Sequence, residues 1–390
     1  MAVVVTKQMR RTGRYLTLVA AWGVTLPLTA AVLPEDRFDA LLHSYQGGGM
    51  DIHGPSLMIR KLLGNSAAVS ANYYVDSISA ASIDVITSAS PYKQERNEYS
   101  VGVEYLRDKS TLSFNYTDSE ENDYVAQTYS VAVSQDFFGD LTTLSMGYAR
   151  GKDEVMRVTT LAGNKQLDSN FGTRSIDRHN FSLGLAQVLT KKLVAGMNYD
   201  LITDKGFLNN PYRQVRFADG SRAFENYPNT RSSHALALQL KYHLPYRAAL
   251  SGKYRYFNDT WDIEAHTFEL GYTHPVKDRW LVDLRYRLYE QSRASFYADV
   301  FSGPEAQTFM ARDKELSTYN NRTLGVTLSY DLGQLGWRYI DKGSLNLAFD
   351  HMVFDYEDFR DASVTGVPIG EEPLYHFSSD VMQFYISVWY

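Results

Sequence analysis

Charged side chains alternate with large apolar ones in several stretches of the second half of the chain. The stretches are ALALQLKY, SGKYRYF, TFELGY, VDLRYRL and NLAFD. Residues two apart in an extended strand point to the same face, so each stretch has an apolar face and a charged face. The charged face contains Lys241, Lys253, Arg255, Glu269, Asp283, Arg285, Arg287 and Asp350. If these strands lie side by side, the charges gather on one wall.

Two interpretations of this charged wall stay open. Fixed charges along a water-filled path order water and select solutes, as charged rings do in channels. Alternatively, the mixed charges pair with one another or with a loop folded against them. The two interpretations are compatible, because paired charges still line a path.

A second polar group lies in GFLNNPYRQVRF, a stretch without alternation. Its amides and guanidinium groups suit an oxyanion or a sugar, and they belong to Asn209, Asn210, Arg213 and Arg216. Packing of a loop against its neighbours explains the same residues equally well.

The acidic runs DSEEND, from Asp118 to Asp123, and DYEDFRD, from Asp355 to Asp361, offer oxygen ligands for Ca²⁺ or Mg²⁺. Neither run has the spacing of an EF-hand loop. Solvated loop tips that meet lipopolysaccharide through shared cations are the simpler interpretation. The chain has no cysteine, which excludes disulfides and thiolate metal sites. We therefore expect no metal site.

No enzyme motif is present. The nine histidines are scattered, and neither HExxH nor GxSxG occurs. His266 with Asp262 and Glu264 is the best local cluster, although a structural histidine at a strand end explains it more simply. The net charge of -6 argues against a general polyanion binder. We expect no catalytic residue, no cofactor and no nucleic-acid partner.

The elements that position these residues are strands joined by two kinds of connection. Tight turns fall at residues 64–66, 107–109, 138–140, 189–192, 245–247 and 275–279, whereas the alternate connections are mostly longer, at 78–97, 153–176, 203–231, 292–316 and 355–374. Outer-membrane barrels sort their connections in this way, with short periplasmic turns and long outer loops. The pattern predicts an all-β fold, a transmembrane antiparallel β-barrel of about 16 strands.

Composition agrees with a single barrel domain. The 390 residues include 29 tyrosines and 19 phenylalanines, yet the mean hydropathy is only -0.33. Only alternate residues of a spanning strand touch lipid, and aromatic residues form interfacial girdles. The face opposite the lipid is small and neutral in the first half of the chain, at Ser70, Asn72, Ser100, Gly102, Ser113, Asn115, Ser130 and Ser134.

The first residues predict export. Basic residues between Lys7 and Arg14 precede an apolar run from Leu16 to Leu28, and small residues follow at positions 29–31. This is the pattern of a secretory signal peptide, because the apolar run is shorter than the roughly 20 residues of a spanning helix. We predict a cleaved signal peptide over residues 1–31 and a barrel over residues 32–390.

The last residues alternate as the other strands do. Phe384, Ile386, Val388 and Tyr390 share one face. A final strand that closes the barrel removes the open sheet edge that lipid cannot satisfy. We interpret these residues as the aromatic ending that the outer-membrane assembly machinery reads.

The segment SIDVITSASPYKQER, from Ser82 to Arg96, is less polar than an exposed loop requires. Ile83, Val85 and Ile86 follow one another closely in it. The segment either folds into the lumen as a constriction or extends two strands above the membrane. The extended hairpin is our preferred interpretation.

Several stretches resemble a known family. They are GGGMDIHGPSLMIRK, ANYYVDSISAASIDVITSASPYKQER, SQDFFGDLTTLSMGY, GFLNNPYRQVRF, YHLPYRAALSGKYRYFNDTW and ARDKELSTYNN. From Phe38 to Tyr390 the chain is similar to bacterial outer-membrane proteins of domain-of-unknown-function family 3570. The resemblance implies an outer-membrane barrel with no agreed activity and no established catalytic residue. It also implies a periplasmic redox partner, because genes of the family often lie beside those for a small lipoprotein, a thioredoxin-like protein and a flavin transferase.

Together these observations predict an outer-membrane conduit or binding scaffold for a small polar or charged solute. The alternative is a docking or assembly platform for a periplasmic redox or flavin-transfer system, with a plugged lumen. A barrel-borne hydrolase has less support. The expected partners are outer-membrane lipid and lipopolysaccharide, the barrel assembly machinery and, in the alternative, a periplasmic lipoprotein or thioredoxin-like protein.

Overall fold

A computed structural model of the protein describes residues 33–80, 92–161 and 164–390. The predicted signal peptide and residues 82–91 of the apolar segment lie outside these ranges. Within them, nearly all regular structure is β-strand, with a short 3₁₀ helix at Lys314–Leu316. No described helix is long and apolar enough to cross a bilayer.

The strands follow one another along the chain with few interruptions. They are β1 (Arg37–Gly47), β2 (Met50–Leu63), β3 (Ala67–Ala80), β4 (Tyr92–Arg107), β5 (Ser110–Glu121), β6 (Tyr124–Phe137), β7 (Thr142–Val155), β8 (Val158–Leu161), β9 (Asn164–Leu167), β10 (Arg174–Thr190), β11 (Leu193–Gly206), β12 (Gln214–Arg216), β13 (Arg222–Phe224), β14 (Thr230–His243), β15 (Ala249–Asp259), β16 (Glu264–Val276), β17 (Trp280–Gln291), β18 (Tyr319–Trp337), β19 (Ile340–Arg360) and β20 (Leu374–Trp389). Two pairs, β8 with β9 and β12 with β13, form separate hairpins. The other sixteen strands of the described chain form one closed antiparallel barrel, which confirms the predicted fold.

The two ends of the barrel differ in their connections. At the short-turn end, tight turns follow β2, β4, β6, β10, β14, β16 and β18. At the long-loop end, long connections follow β3, β7, β11, β17 and β19, whereas tight turns follow β1, β5 and β15. This sorting confirms the pattern read from the sequence.

Several predicted loop boundaries were wrong. β5 continues to Glu121, through most of the acidic run from Asp118 to Asp123, and β3 and β4 reach Ala80 and Tyr92, inside the connection predicted at 78–97. The acidic run that begins at Asp355 was expected to open a loop, but β19 continues to Arg360. The strand extends because Tyr356 and Phe359 pack into a buried core at this end of the barrel. Most of the acidic run therefore lies in a strand.

The outer surface of the barrel is apolar along alternate residues. Leu238 and Leu240 of β14 are 46% and 52% exposed, while the intervening Gln239 is partly covered on the inner face. Exposed leucine at this density is unfavourable in water and is typical of strands that face lipid. The fold is that of an outer-membrane barrel.

The barrel closes between its first and last strands. β20 pairs with β19 on one side and with β1 on the other, from Arg37 opposite Trp389 to Gly47 opposite Ser379. The Tyr390 hydroxyl donates a hydrogen bond to the carbonyl of Arg60 at 3.0 Å, and the Lys61 ammonium lies 4.8 Å from its ring centroid. Phe384, Ile386 and Val388 alternate with inward residues, so their side chains face outward beside this seam.

The main buried core lies at the long-loop end, where loops pack onto the inner face of the barrel. Inward residues of the strands include Tyr124, Tyr289, Tyr319 and Tyr356. The loops add Leu208, Tyr227, Trp261, Phe296, Tyr297 and Leu316 to the same cluster. This cluster, the loop core, occupies the long-loop mouth and leaves the charged wall below it.

Candidate functional site in the barrel lumen

The strand register brings the predicted charged wall together on the inner face of β14–β19. Lys253 lies opposite Glu269 on β16, and Glu269 lies opposite Arg287 on β17. The flanking residues Leu270 and Leu288 are exposed on the outer face. Lys253, Glu269 and Arg287 therefore form one row across three adjacent strands, facing the lumen.

The two cations of this row form no hydrogen bond or ion pair with a described residue, although the Arg287 guanidinium lies 5.9 Å from the ring centroid of Tyr289. Both side chains are partly accessible. An ionised group that is neither paired nor fully buried keeps its charge by contact with water. The row is therefore suited to attract a solute.

Other members of the wall surround this row. Arg255 lies one inward position above Lys253, opposite Thr267. Lys241 is exposed near the short-turn end of β14. Asp283 accepts a hydrogen bond from the hydroxyl of Thr273.

Arg285 and Asp350 form a salt bridge. An Arg285 amino group lies 2.6 and 2.7 Å from the two carboxylate oxygens. The side chains are 30% and 23% exposed, so the pair is half-buried. This pair fits the structural interpretation of the wall, whereas Lys253 and Arg287 fit the solute-selecting one.

Sequence reasoning missed one carboxylate of the site. Asp200 of β11 faces the lumen, and Arg255 and Lys253 are the cations whose fields act on it. The signal was available, because Met197 and Tyr199 are apolar, exposed and on the opposite face. The alternation in MNYDL thus places Asp200 inside.

The first half of the lumen is small and neutral only in part. That prediction was wrong toward the long-loop end, where inward-facing ionisable groups occur. The Nε2 atom of His43 lies 2.8 Å from a carboxylate oxygen of Asp76, and Arg96 donates to the hydroxyl of Ser119 at 2.9 Å. Arg96 was missed because β4 begins at Tyr92, inside the connection predicted at 78–97, whereas the alternation in β1 and β3 was not followed to His43 and Asp76. Their mutual bonds make them part of the wall structure.

The two arginines of the predicted loop cluster pair with acidic residues of other loops. Arg213 forms a buried ion pair with Asp313. Arg216 forms ion pairs with Asp299 and Glu372. All these contacts join segments that are distant in sequence, so the guanidinium groups hold the loops together.

The two asparagines of the cluster also bond to the loop backbone. The Asn209 amide donates to the carbonyl of Glu225 at 2.9 Å and accepts from the backbone NH of Tyr227 at 3.1 Å. The Asn210 side chain accepts from the backbone NH of Tyr212 at 2.9 Å. This geometry supports loop packing rather than an oxyanion or sugar site.

A buried carboxyl group lies between the two largest loops. Glu225 accepts from the hydroxyl of Tyr227 at 2.6 Å and from the backbone NH of Arg312 at 2.7 Å. Burial raises the pKa of Glu225 to about 7, and the nearby Arg213 opposes this shift. Ionisation of Glu225 would therefore place a further negative charge in this buried contact, beside Asp313.

The best histidine cluster faces away from the lumen. Tyr254 and His266 lie on the outer face, with the tyrosine hydroxyl 2.8 Å from the Nδ1 atom of His266. Glu264 shares this face, and Asp262 lies in the adjoining turn. In the described part of the chain, no group of three or more histidine or acidic side chains is arranged to hold a metal ion.

A family model matches residues 84–340, and its description is "Protein of unknown function (DUF3570)". The match covers more than half of the chain. The chain belongs to this family. This match confirms the family resemblance seen in the sequence. A search of curated proteins returned no significant match.

Solved barrels resemble this DUF3570 protein at low identity. A bacterial polysaccharide outer-membrane secretin is 8% identical with a TM-score of 0.47, covering 90% of this chain and 98% of the other. The outer-membrane protein opdK from Pseudomonas aeruginosa is 10% identical with a TM-score of 0.42, covering 90% and 99%. An anion-selective porin from Comamonas acidovorans is 10% identical with a TM-score of 0.37, covering 93% and 100%. The fold assignment for the DUF3570 chain rests on its own strand register.

Proposed function

We propose that the protein is a conduit or binding scaffold for a small polar or charged solute in the outer membrane. The observation that supports this proposal is the inward row of Lys253, Glu269 and Arg287, whose cations form no hydrogen bond or ion pair with a described side chain. In the proposed orientation, the short-turn end faces the periplasm and the long-loop end faces outward. The proposal includes no catalytic step and no cofactor.

The wall is well placed to act on a solute. Charges inside a narrow cavity with low-dielectric walls concentrate the field and raise the local concentration of counter-ions. The loop core lies across the long-loop mouth. In this proposal the loops control passage of the solute through the long-loop mouth. The charged wall selects which solutes move along the lumen.

Single-channel recording of the refolded protein in a planar bilayer tests the proposal. We expect stepwise openings and a reversal potential under a salt gradient. Replacing the guanidinium groups in R255Q/R285Q/R287Q should shift that reversal potential, because three positive charges leave the lumen. A matched control is R107Q/K191Q/K192Q, which removes three exposed charges at the short-turn end.

Two results contradict the conduit. A reversal potential that is equal in the wild type and R255Q/R285Q/R287Q excludes the charged wall as the selective surface. A correctly folded barrel that never opens excludes conduction.

The loop core favours a second candidate function, a scaffold with a plugged lumen that docks a periplasmic partner. Loop residues such as Tyr227 and Phe296 pack with inward tyrosines of the strands. This function predicts a silent barrel that co-purifies with a periplasmic lipoprotein or thioredoxin-like protein in a fixed ratio. Purification of the barrel without any stoichiometric partner would contradict it.

A further inference from the structure

We infer that the lumen site takes a small anion bearing carboxylate or phosphate groups, bound between Lys253 and Arg287. The inference rests on the proposed function and names the class of solute. It follows from three features of the wall: its charge balance, the spacing of its strands and its position below the loop core.

The charge balance favours an anion. In the row across β15, β16 and β17, a single carboxylate, Glu269, lies between two cations. One positive charge stays uncompensated whichever cation Glu269 approaches. This conclusion depends on the register alone, so it does not change with the rotamers of the long side chains.

The neighbouring charges do not reverse this balance. Asp200 lies in the field of two cations, Arg255 and Lys253. Arg285 is already neutralised by Asp350. When Asp283 is included, the wall still has one more cation than carboxylates. The five cations are Lys241, Lys253, Arg255, Arg285 and Arg287, and the four carboxylates are Asp200, Glu269, Asp283 and Asp350.

The spacing of the strands suits one small anion. Adjacent strands are about 4.8 Å apart, so the backbones of Lys253 and Arg287 are separated by roughly 10 Å, the width of two strand spacings. Both side chains are long enough to converge on a group between them. The planar guanidinium matches the oxygens of a carboxylate or phosphate, and the ammonium adds a mobile point charge.

The position of the row defines the route to it. Lys241 is exposed on the same inner face, nearer the short-turn end. An anion that enters from this end meets Lys241 before it reaches Lys253 and Arg287. The loop core packs across the lumen on the opposite side of the row, toward the long-loop end.

Thermal unfolding of the refolded full-length barrel in detergent tests the inference. Sodium phosphate and sodium succinate are compared with sodium chloride at equal ionic strength, because a ligand that binds only the native state raises Tm. We expect both probes to raise Tm above the chloride value. Phosphate tests whether the site binds a phosphate group, and succinate tests whether it binds a carboxylate group.

Variants assign the effect to the row. K253Q/R287Q should weaken phosphate and succinate binding at least ten-fold, whereas the control R107Q/K191Q should bind as the wild type does. Glu269→Gln removes the competing carboxylate and should tighten binding. This opposite direction provides a test even if K253Q/R287Q does not fold.

Three outcomes overturn the inference. They are no effect of either probe beyond chloride, equal binding by the wild type and K253Q/R287Q, and weaker binding by Glu269→Gln. Failure of the conduit is distinguishable from these outcomes. If the barrel does not conduct but binds phosphate through Lys253 and Arg287, the conduit is excluded and the anion site is supported. If the barrel conducts but binds no anion, the anion site is excluded and the conduit is supported.

Discussion

The Arg285 guanidinium donates two hydrogen bonds to the Asp350 carboxylate, at 2.6 and 2.7 Å, although a whole strand lies between them. The residue between them in the register is Gly325 of β18. A Cβ atom at Gly325 would overlap the Asp350 carboxylate and approach the Nε atom of Arg285 to 3.2 Å. The absence of a side chain on the middle strand therefore lets β17 and β19 pair across it.

Gly325→Ala should break this ion pair. Two charge-assisted hydrogen bonds of a half-buried pair would be lost, which should lower the free energy of unfolding by about 1–2 kcal/mol. Urea unfolding of the folded barrel in liposomes measures the change. The control is Gly196→Ala, another inward glycine whose added Cβ would have its nearest neighbours at 3.9 Å. Equal losses of stability in the two variants would show that Gly325 has no special role.

The packing of the loops should weaken as pH rises. The pKa of Glu225 in the folded loops is raised by burial to about 7, from an ordinary value of 4.5. The unfolded loops bind fewer protons between these values, so Glu225 contributes its full stabilisation below 4.5 and loses it as pH rises through about 7. Hydrogen exchange of residues 207–229 should therefore be faster at pH 8 than at pH 5 after correction for intrinsic rates.

Glu225→Gln should flatten this pH dependence, because the amide stays neutral. The control is Glu371→Gln, which changes an exposed carboxylate in another loop. A pH profile of Glu225→Gln identical to that of the wild type would exclude Glu225 as its cause.

Arg216→Ala should release the loops at the long-loop mouth. The change leaves Asp299 and Glu372 without their shared guanidinium, and breaking a buried ion pair costs about 3–5 kcal/mol. Limited proteolysis should cut residues 361–373 faster than in the wild type. Arg293→Ala is the control, because Arg293 is 60% exposed and 4.0 Å from Asp358. No difference between Arg216→Ala and Arg293→Ala would contradict the anchoring role.

The barrel seam should depend more on the ring of Tyr390 than on its hydroxyl. Tyr390→Phe loses only the hydrogen bond to Arg60, worth about 1 kcal/mol, whereas Tyr390→Ser also loses the cation–π contact with Lys61. We expect a smaller folded fraction for Tyr390→Ser, measured as the heat-modifiable band on a gel. Equal folded fractions for the two variants would assign the effect to the hydroxyl.

The barrel itself was predictable from the sequence because lipid imposes a simple rule. Outward residues that contact lipid are predominantly apolar, so the period of two recurs in strand after strand. The same alternation placed Lys253, Glu269 and Arg287 on one inner face. It would also have placed Asp200 there, had the alternation been followed into β11.

The loop contacts were not predictable in this way, because loops have no period. GFLNNPYRQVRF shows polar residues but not their partners, which lie far along the chain. Arg216 and Glu372, for example, are brought together by the closed barrel and by the packing of the loops on its inner tyrosines.

The sequence by itself determined the strand number, the sorting of short and long connections and the charged inner face, because each depends on local alternation and turn composition. Only the tertiary structure decided which charges are paired. Arg285 meets Asp350 because the register places Gly325 between them, while Lys253 and Arg287 lie on the two sides of Glu269 without an ion pair to it. An ion pair across a middle strand depends on how three adjacent strands are aligned. The order of residues within any one strand does not specify that alignment.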